Sequence, residues 1–317
     1  TKMENISTGD TICSPENIVE LEPLKLPSPV MAEALHPKNR ADEDKLSGAL
    51  HKLLDEDPTY VLERNTETHE TVLWGMGHVH LAIAIAKLKN RYNVEVETSI
   101  PKITYRETII GRGDARYRHK KQSGGAGQFG EVALRVEPLP TGGGFEFVSE
   151  VVGGAIPSQF LPSCEKGIEK SLAAGPIAGY KVVDVKATVY DGKHHPVDSK
   201  DIAFQAAAAN AFKDAMQQAK PVLLEPIMLI KVRVPDRFTG DVIGDLNTRR
   251  GRILGMDNEG SVSVISANVP LVEVQTYSPE LRSMTGGRGV FSLRFDHYSE
   301  LPQHLVAGVV AKSKEED

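Results

Sequence analysis

Apolar positions along this chain alternate between a spacing of two and a spacing of three to four, so strands and helices are predicted in turn. Val30 to Leu35 reads as a short strand, and residues 41–55 as an amphipathic helix with Leu46, Leu50, Leu53 and Leu54 on one side. Thr59 to Arg64 and Thr71 to Met76 are predicted strands around a polar turn. Residues 78–91 form a helix striped by Leu81, Ile85 and Leu88, and Val94 to Thr98 closes a βαββαβ order. The order recurs near the end: strand Pro226 to Val234, helix Gly240 to Arg250, strands Arg252 to Met256 and Ser261 to Ala267, a helical stretch from Leu271 to Met284, and strand Val290 to Phe295. A terminal helix is predicted over 298–312.

Two split-βαβ, or ferredoxin-like, modules over residues 25–100 and 223–297 therefore flank a middle unit, residues 101–222. That unit is α+β: strands near Ile103 to Ile110, Glu131 to Val136 and Phe145 to Val151, a helix from Ser158 to Ala174, and a β-branched strand from Tyr180 to Tyr190. A tight polar turn is predicted at Asp191 and Gly192, and Asp198 or Ser199 caps a helix whose core face is Ile202, Ala206, Ala209, Phe212 and Met216. Residues 1–24, with TGD and ENIVELEP, are too short for a domain and read as the tail of a preceding one.

Between that strand and helix, Lys193, His194 and His195 sit on a short loop with no apolar residue to bury them, so the loop projects. The alternatives are a solvated tip, a metal site, or a probe that reaches another molecule. Adjacent histidines diverge and nearby carboxylates do not repeat at ligand spacing, which disfavours metal. Net charge is −6, but residues 101–222 carry 16 basic against 13 acidic side chains while residues 1–100 carry 10 against 17. The only basic third thus contains the projecting loop, and local cations bind phosphate whatever the total.

The loop is similar to the tip of the fourth domain of elongation factor G, of the form YDG-x-x-H-x-VDSS-x-x-AF, present here as Tyr190, Asp191, Gly192, His195, Val197, Asp198, Ser199, Ala203 and Phe204. Residues 75–82, GMGHVHLA, resemble that family's GMGELHLE, with His78 and Ala82 replacing glutamates. GDVIGDLNTRRGRILGM (240–256) and LRSMTGGRGVFSLRFDHY (281–298) follow its fifth-domain pattern. The resemblance implies a ribosomal-protein-S5-like fold for residues 101–222, with the terminal helix packing back on it, and a β-barrel remnant in residues 1–24. It also implies that the tip, with His195 foremost beside Lys193, His194, Asp198 and Ser199, enters the small-subunit decoding region and contacts tRNA and mRNA. Arg249, Arg250 and Arg288 would face large-subunit rRNA, although the first two, at a helix end, already suit the negative pole of its dipole.

Residues 124–132, GGAGQFGEV, space Gly125, Gly127, Gly130 and Val132 like a kinase glycine loop, but the partner motifs V-A-I-K, H-R-D and D-F-G are missing and a strand follows. The stretch reads instead as a flexible loop whose glycines, with Lys120, Lys121, Gln122 and Gln128, let a polyanion approach. The family usually has Arg at the position of Ala126 and His at that of Glu131, so this loop offers less charge, and these departures with His78 favour a paralogue. His78 and His80, two apart on a helix, point different ways and make a poor metal pair; His80 is expected to be a packed or an interface histidine.

No G-x-x-x-x-G-K-[ST] stretch occurs, so no P-loop nucleotide site is expected in this chain; GTP and Mg belong to the full-length protein that the resemblance implies. No catalytic constellation stands out. Ordinary composition, two widely separated cysteines and the lack of a long apolar run point to a cytoplasmic protein without membrane span or disulfide framework; a monomer is expected. Ribosomal protection proteins share the layout, but the VDS and AF residues favour the translocase side; translocation is the expected role, with ribosome recycling or protection by a paralogue as alternatives and a self-standing RNA-binding module as the competing class.

Overall fold

The computed structural model describes residues 8–22, 24–122 and 127–316, and the side chains of these up to residue 314. The chain divides into two compact units, one of Thr1–Ile103 with Ile227–His297 and the other of Thr104–Pro226 with Tyr298–Asp317. The described residues form a mixed α+β architecture with three sheets.

In the first unit, β1 (Met31–Pro37), α1 (Arg40–Glu56), β2 (Val61–Asn65), β3 (Glu70–Gly75), α2 (His78–Tyr92) and β4 (Val96–Ser99) form a module with sheet order β2-β3-β1-β4, antiparallel throughout. Asn39 starts α1 by accepting from the Asp42 amide at 3.0 Å, and Leu46, Leu50 and Leu53 bury against Leu81, Ala84 and Leu88 of α2. Asn93, left-handed at φ 53°, ends α2 while the next amide, Val94, reaches back to the Leu88 carbonyl at 2.9 Å.

The second module uses β10 (Pro221–Pro235), α5 (Thr239–Thr248), β11 (Arg252–Glu259), β12 (Val262–Pro270), α6 (Leu271–Val274), α7 (Tyr277–Thr285) and β13 (Val290–Glu300), with sheet order β11-β12-β10-β13. The predicted single helix over 271–284 is two, broken at Gln275 and Thr276. Tyr298 and Ser299 continue β13; the terminal helix α8 starts later, at Gln303–Glu316.

The other unit holds β5 (Arg106–Ile109), β6 (Gly113–Lys121), β7 (Gln128–Pro138), β8 (Phe145–Ser149), α3 (Leu161–Ser171), β9 (Val185–Lys193) and α4 (Asp201–Gln218). Its sheet runs β6-β7-β9-β8, with β8 parallel to β9 and the other pairs antiparallel. Val132, Leu134, Val136, Val185, Ala187 and Val189 point from the sheet into a core closed by α3 and α4, where Phe160 and Phe204 stack at 4.7 Å. Each large apolar side chain buried there is worth roughly 1.5–3 kcal/mol. On the same unit, Ser313 of α8 donates to the Ala178 carbonyl at 2.7 Å.

Strand β6 and the face of α4 depart from the sequence reading. β6 went unpredicted because its inward positions are Gly113, Ala115, Tyr117 and His119, too small or too polar to signal a strand; a Cβ on Gly113 would collide with the Ala215 carbonyl. The core face of α4 is Ala203, Phe204, Ala207, Ala208, Ala211, Phe212, Ala215 and Met216, so only Phe212 and Met216 of the predicted face are buried and Ile202 is 58% exposed. Alanine on every side of α4 left the periodicity without contrast.

Candidate nucleic-acid interface

The projecting loop is shorter than predicted, because β9 runs on through Asp191 and Gly192 to Lys193. These pair with Ala133, Val132 and Glu131 of β7, beyond a bulge that leaves Tyr190 as the extra residue. No turn occurs at Asp191 and Gly192. Glycine is required at 192 for close approach: a Cβ there would collide with the Glu131 carbonyl and lie 2.6 Å from Ile156.

The chain reverses over residues 194–200. The His195 amide donates to Ser199 Oγ at 2.9 Å, and the Ser199 amide returns to the His195 carbonyl at 3.2 Å. His195 Nδ1 accepts from the amides of Asp198 (3.1 Å) and Val197 (3.3 Å), so its proton sits on Nε2. The Asp198 carboxylate lies 3.4 Å from the same Nδ1, and half of the His195 side chain remains exposed. His194 and Lys193 are exposed, with His194 Nδ1 3.4 Å from the Ala155 carbonyl.

Neither Asp198 nor Ser199 caps α4. The cap position is Lys200, which makes no side-chain cap bond. Asp198 and Ser199 instead tie the loop to β7: the Phe129 amide donates to the Asp198 carbonyl at 2.9 Å, and Ser199 Oγ donates to the Phe129 carbonyl at 3.0 Å. The hydroxyl is committed to strand and loop, so the helix amides go without it.

The glycine-rich loop meets the tip at Gly127, where a Cβ would lie 2.9 Å from the Asp198 carboxyl carbon. Gln128 follows, its Oε1 3.1 Å from His119 Nε2, and the Phe129 ring tilts against His195 with centroids 6.2 Å apart. Lys120 is exposed on β6 opposite Phe129. Gly125 and Ala126 lie outside the described residues. Lys193, His194, His195, Asp198, Ser199, Lys120, Gly127 and Gln128 thus converge on one end of one sheet.

Glu131 is more than a missing cation. It is 2% exposed and accepts from Arg116 Nη1 at 2.9 Å and Arg118 Nε at 2.5 Å, while Arg116 also pairs with Asp191. Burial pushes the Glu131 carboxyl up, and the hydrogen bonds from Arg118 and Arg116 more than offset it, leaving the carboxyl below its usual range. The hydrogen bond from Arg116 lowers Asp191 as well. Sequence reasoning passed over Arg116 and Arg118; their signal was the period of two in Arg116, Arg118 and Lys120, which marks one strand face.

The arginines predicted for rRNA are placed differently from one another. Arg249 donates to Asp245 Oδ2 (2.8 Å) and the Glu273 carbonyl (2.8 Å), pairs with Glu280, and lies over the Tyr277 ring at 5.0 Å. Arg250, at φ 59°, donates to Glu273 at 3.0 Å. Acceptors of their own module thus engage both arginines. Arg288 is exposed. His80 is packed: its ring stacks on Tyr60 at 3.8 Å, Nε2 lies 3.0 Å from Asp57, and Nδ1 accepts from the Met76 amide at 3.1 Å. Among the described residues no three His, Cys, Asp or Glu side chains are placed to hold a metal ion, and no helix is long and apolar enough to cross a membrane.

Three family models match the chain: Elongation Factor G, domain III over residues 26–100, Elongation factor G, domain IV over 101–220, and Elongation factor G C-terminus over 222–308. Elongation factor G of Aquifex pyrophilus is 46% identical over 307 residues, which are 96% of this chain and 44% of that protein. A crystal structure of a protein from Thermus thermophilus matches with a TM-score of 0.83 at 49% identity, covering 93% of this chain and 44% of that one. The chain thus spans less than half the length of these relatives. It belongs to the elongation factor G family and carries that family's third, fourth and C-terminal domains.

Proposed function

We propose that this chain is the ribosome-contacting part of a translational GTPase, and that it passes motion generated elsewhere in the full-length protein to tRNA and mRNA through the loop at residues 194–200. GTP and Mg belong to the portion outside this chain. The protein acts in the cytoplasm as a monomer.

The observation that carries this reading is the bracing of the tip. Ser199 and the Asp198 backbone fasten the loop to β7, and Gly127 packs on Asp198, so a force on α4 or the sheet reaches the loop without being absorbed in bending. His195 meets RNA with an Nε2–H donor whose tautomer is set by backbone amides, and Lys193 and Lys120 supply charge to phosphates. Positioning rather than acid or base chemistry is what such a tip contributes. In the C-terminal domain, Arg288 is the cation offered to large-subunit rRNA.

The test is His195→Ala in the full-length protein. Movement of tRNA per GTP turned over should fall by roughly tenfold, the scale of one hydrogen bond of about 1.4 kcal/mol, with GTP turnover unchanged. A fall in turnover with movement per turnover preserved would rule out the tip role.

A further inference from the structure

Helix α4 carries apolar residues on two faces, and its fold uses one. Ile202, Ala206 and Ala209 recur at helical spacing but lie off the core, with Ile202 58% exposed. Here the second face lines a groove of about 330 Å³ between α3 and α4. Gly167 allows the helices to touch, since a Cβ there would collide with the Gln205 carbonyl. The Ser171 hydroxyl donates to the Gly167 carbonyl at 3.1 Å, and the floor offers the Ala174, Ala206 and Ala209 methyls.

The rim has one sign of charge. Lys170 and Lys213 line the groove, no carboxylate does, and neither lysine has a carboxylate partner among the described residues; Lys170 donates only to Gln205 Oε1, at 3.1 Å. No arginine and no aromatic ring lines it either, so a nucleic acid would find neither a guanidinium fork nor a stacking platform. Apolar side chains flanked by carboxylates fit both floor and rim. We propose that the groove between α3 and α4 docks an acidic amphipathic helix of a partner protein, with its apolar residues over Ile202, Ala206 and Ala209 and its carboxylates at Lys170 and Lys213. The area available is that of a weak, transient contact, below about 1,200 Å². This inference is independent of the role of the tip.

The test uses the 317-residue chain with labelled alanine and isoleucine methyl groups. The probe is a synthetic peptide with leucine at helical spacing and glutamate elsewhere; its comparators are the same peptide with lysine for glutamate and a short oligouridylate. Saturable shifts at the Ala174, Ile202, Ala206 and Ala209 methyls are expected with the acidic peptide alone. The double substitution Lys170→Glu, Lys213→Glu should weaken that binding by roughly tenfold, with the buried Ala207 and Ala208 methyls unmoved as evidence of an intact fold. His195→Ala should leave it unchanged. No shift at the groove methyls, equal binding of the lysine peptide, or stronger perturbation of the same methyls by the RNA would each overturn the proposal.

Discussion

A glutamate in the middle of an apolar strand, such as Glu131 in β7, must find partners for its charge before the strand can be buried. Arg116 and Arg118 are those partners, and their side chains stay partly in water while the carboxylate does not. Because the folded carboxyl titrates below its unfolded counterpart, near about 4.3, Glu131 contributes stability that is present above that pH and lost as pH falls through the folded value. Glu131→Gln should therefore cost roughly 1–3 kcal/mol at pH 7, and the gap to the parent chain in urea unfolding should narrow as pH is lowered towards 3. Gly192 acts through space rather than charge. Gly192→Ala places a methyl group against the Glu131 carbonyl and Ile156, and a loss of about 1–3 kcal/mol, read as a lower Tm, is expected.

At the scale of elements, the tip and α4 compete for the same polar side chains. Ser199 bonds the loop to β7, which leaves Lys200 at the helix start with extended backbone and no cap bond. Lys200→Asp should supply both a capping oxygen and a negative charge at the positive pole, stabilising the chain by about 0.5–1 kcal/mol in urea unfolding. No gain would mean that the α4 amides are already satisfied by other means. The β9 strand and the helix that follows were legible as elements because a β-branched run and apolar residues three and four apart are local signals, whereas the turn read at Asp191 and Gly192 is strand and the chain reverses only after Lys193. The face of α4 was not, since Ile202, Ala206 and Ala209 repeat as regularly as Ala203, Ala207 and Ala211, and only the sheet and α3 choose between them.

For the molecule as a whole, total charge is a poor guide to where RNA would bind. With 37 basic and 43 acidic residues, many cations are engaged by neighbours, Arg116, Arg118, Arg249 and Arg250 among them, while Lys120 and Lys193 remain exposed beside the tip. Co-sedimentation with ribosomes should weaken as salt rises, and the double substitution Lys120→Ala, Lys193→Ala should make the logarithmic salt slope shallower by about 1–2. Arg249→Ala should leave that slope unchanged and instead lower stability by about 2 kcal/mol, because Asp245 and the Glu273 carbonyl lose their partner. The opposite pattern would place the C-terminal domain's RNA contact at Arg249.

The sequence by itself determined the two βαββαβ modules, the α+β class of the middle and the family, because periodicity, turn residues and motifs are properties of neighbours along the chain. Tertiary structure alone decided that β6 exists beside β7, which face of α4 is core, that Gly192 serves packing rather than a turn, and which arginines are already engaged. Each of those depends on a partner far away in sequence: Arg116 and Asp191 are 75 positions apart, Ser199 and Phe129 are 70, and Arg249 and Glu280 are 31. Burial and ion pairing are settled by distance in space, and a chain read one residue after another does not contain that distance.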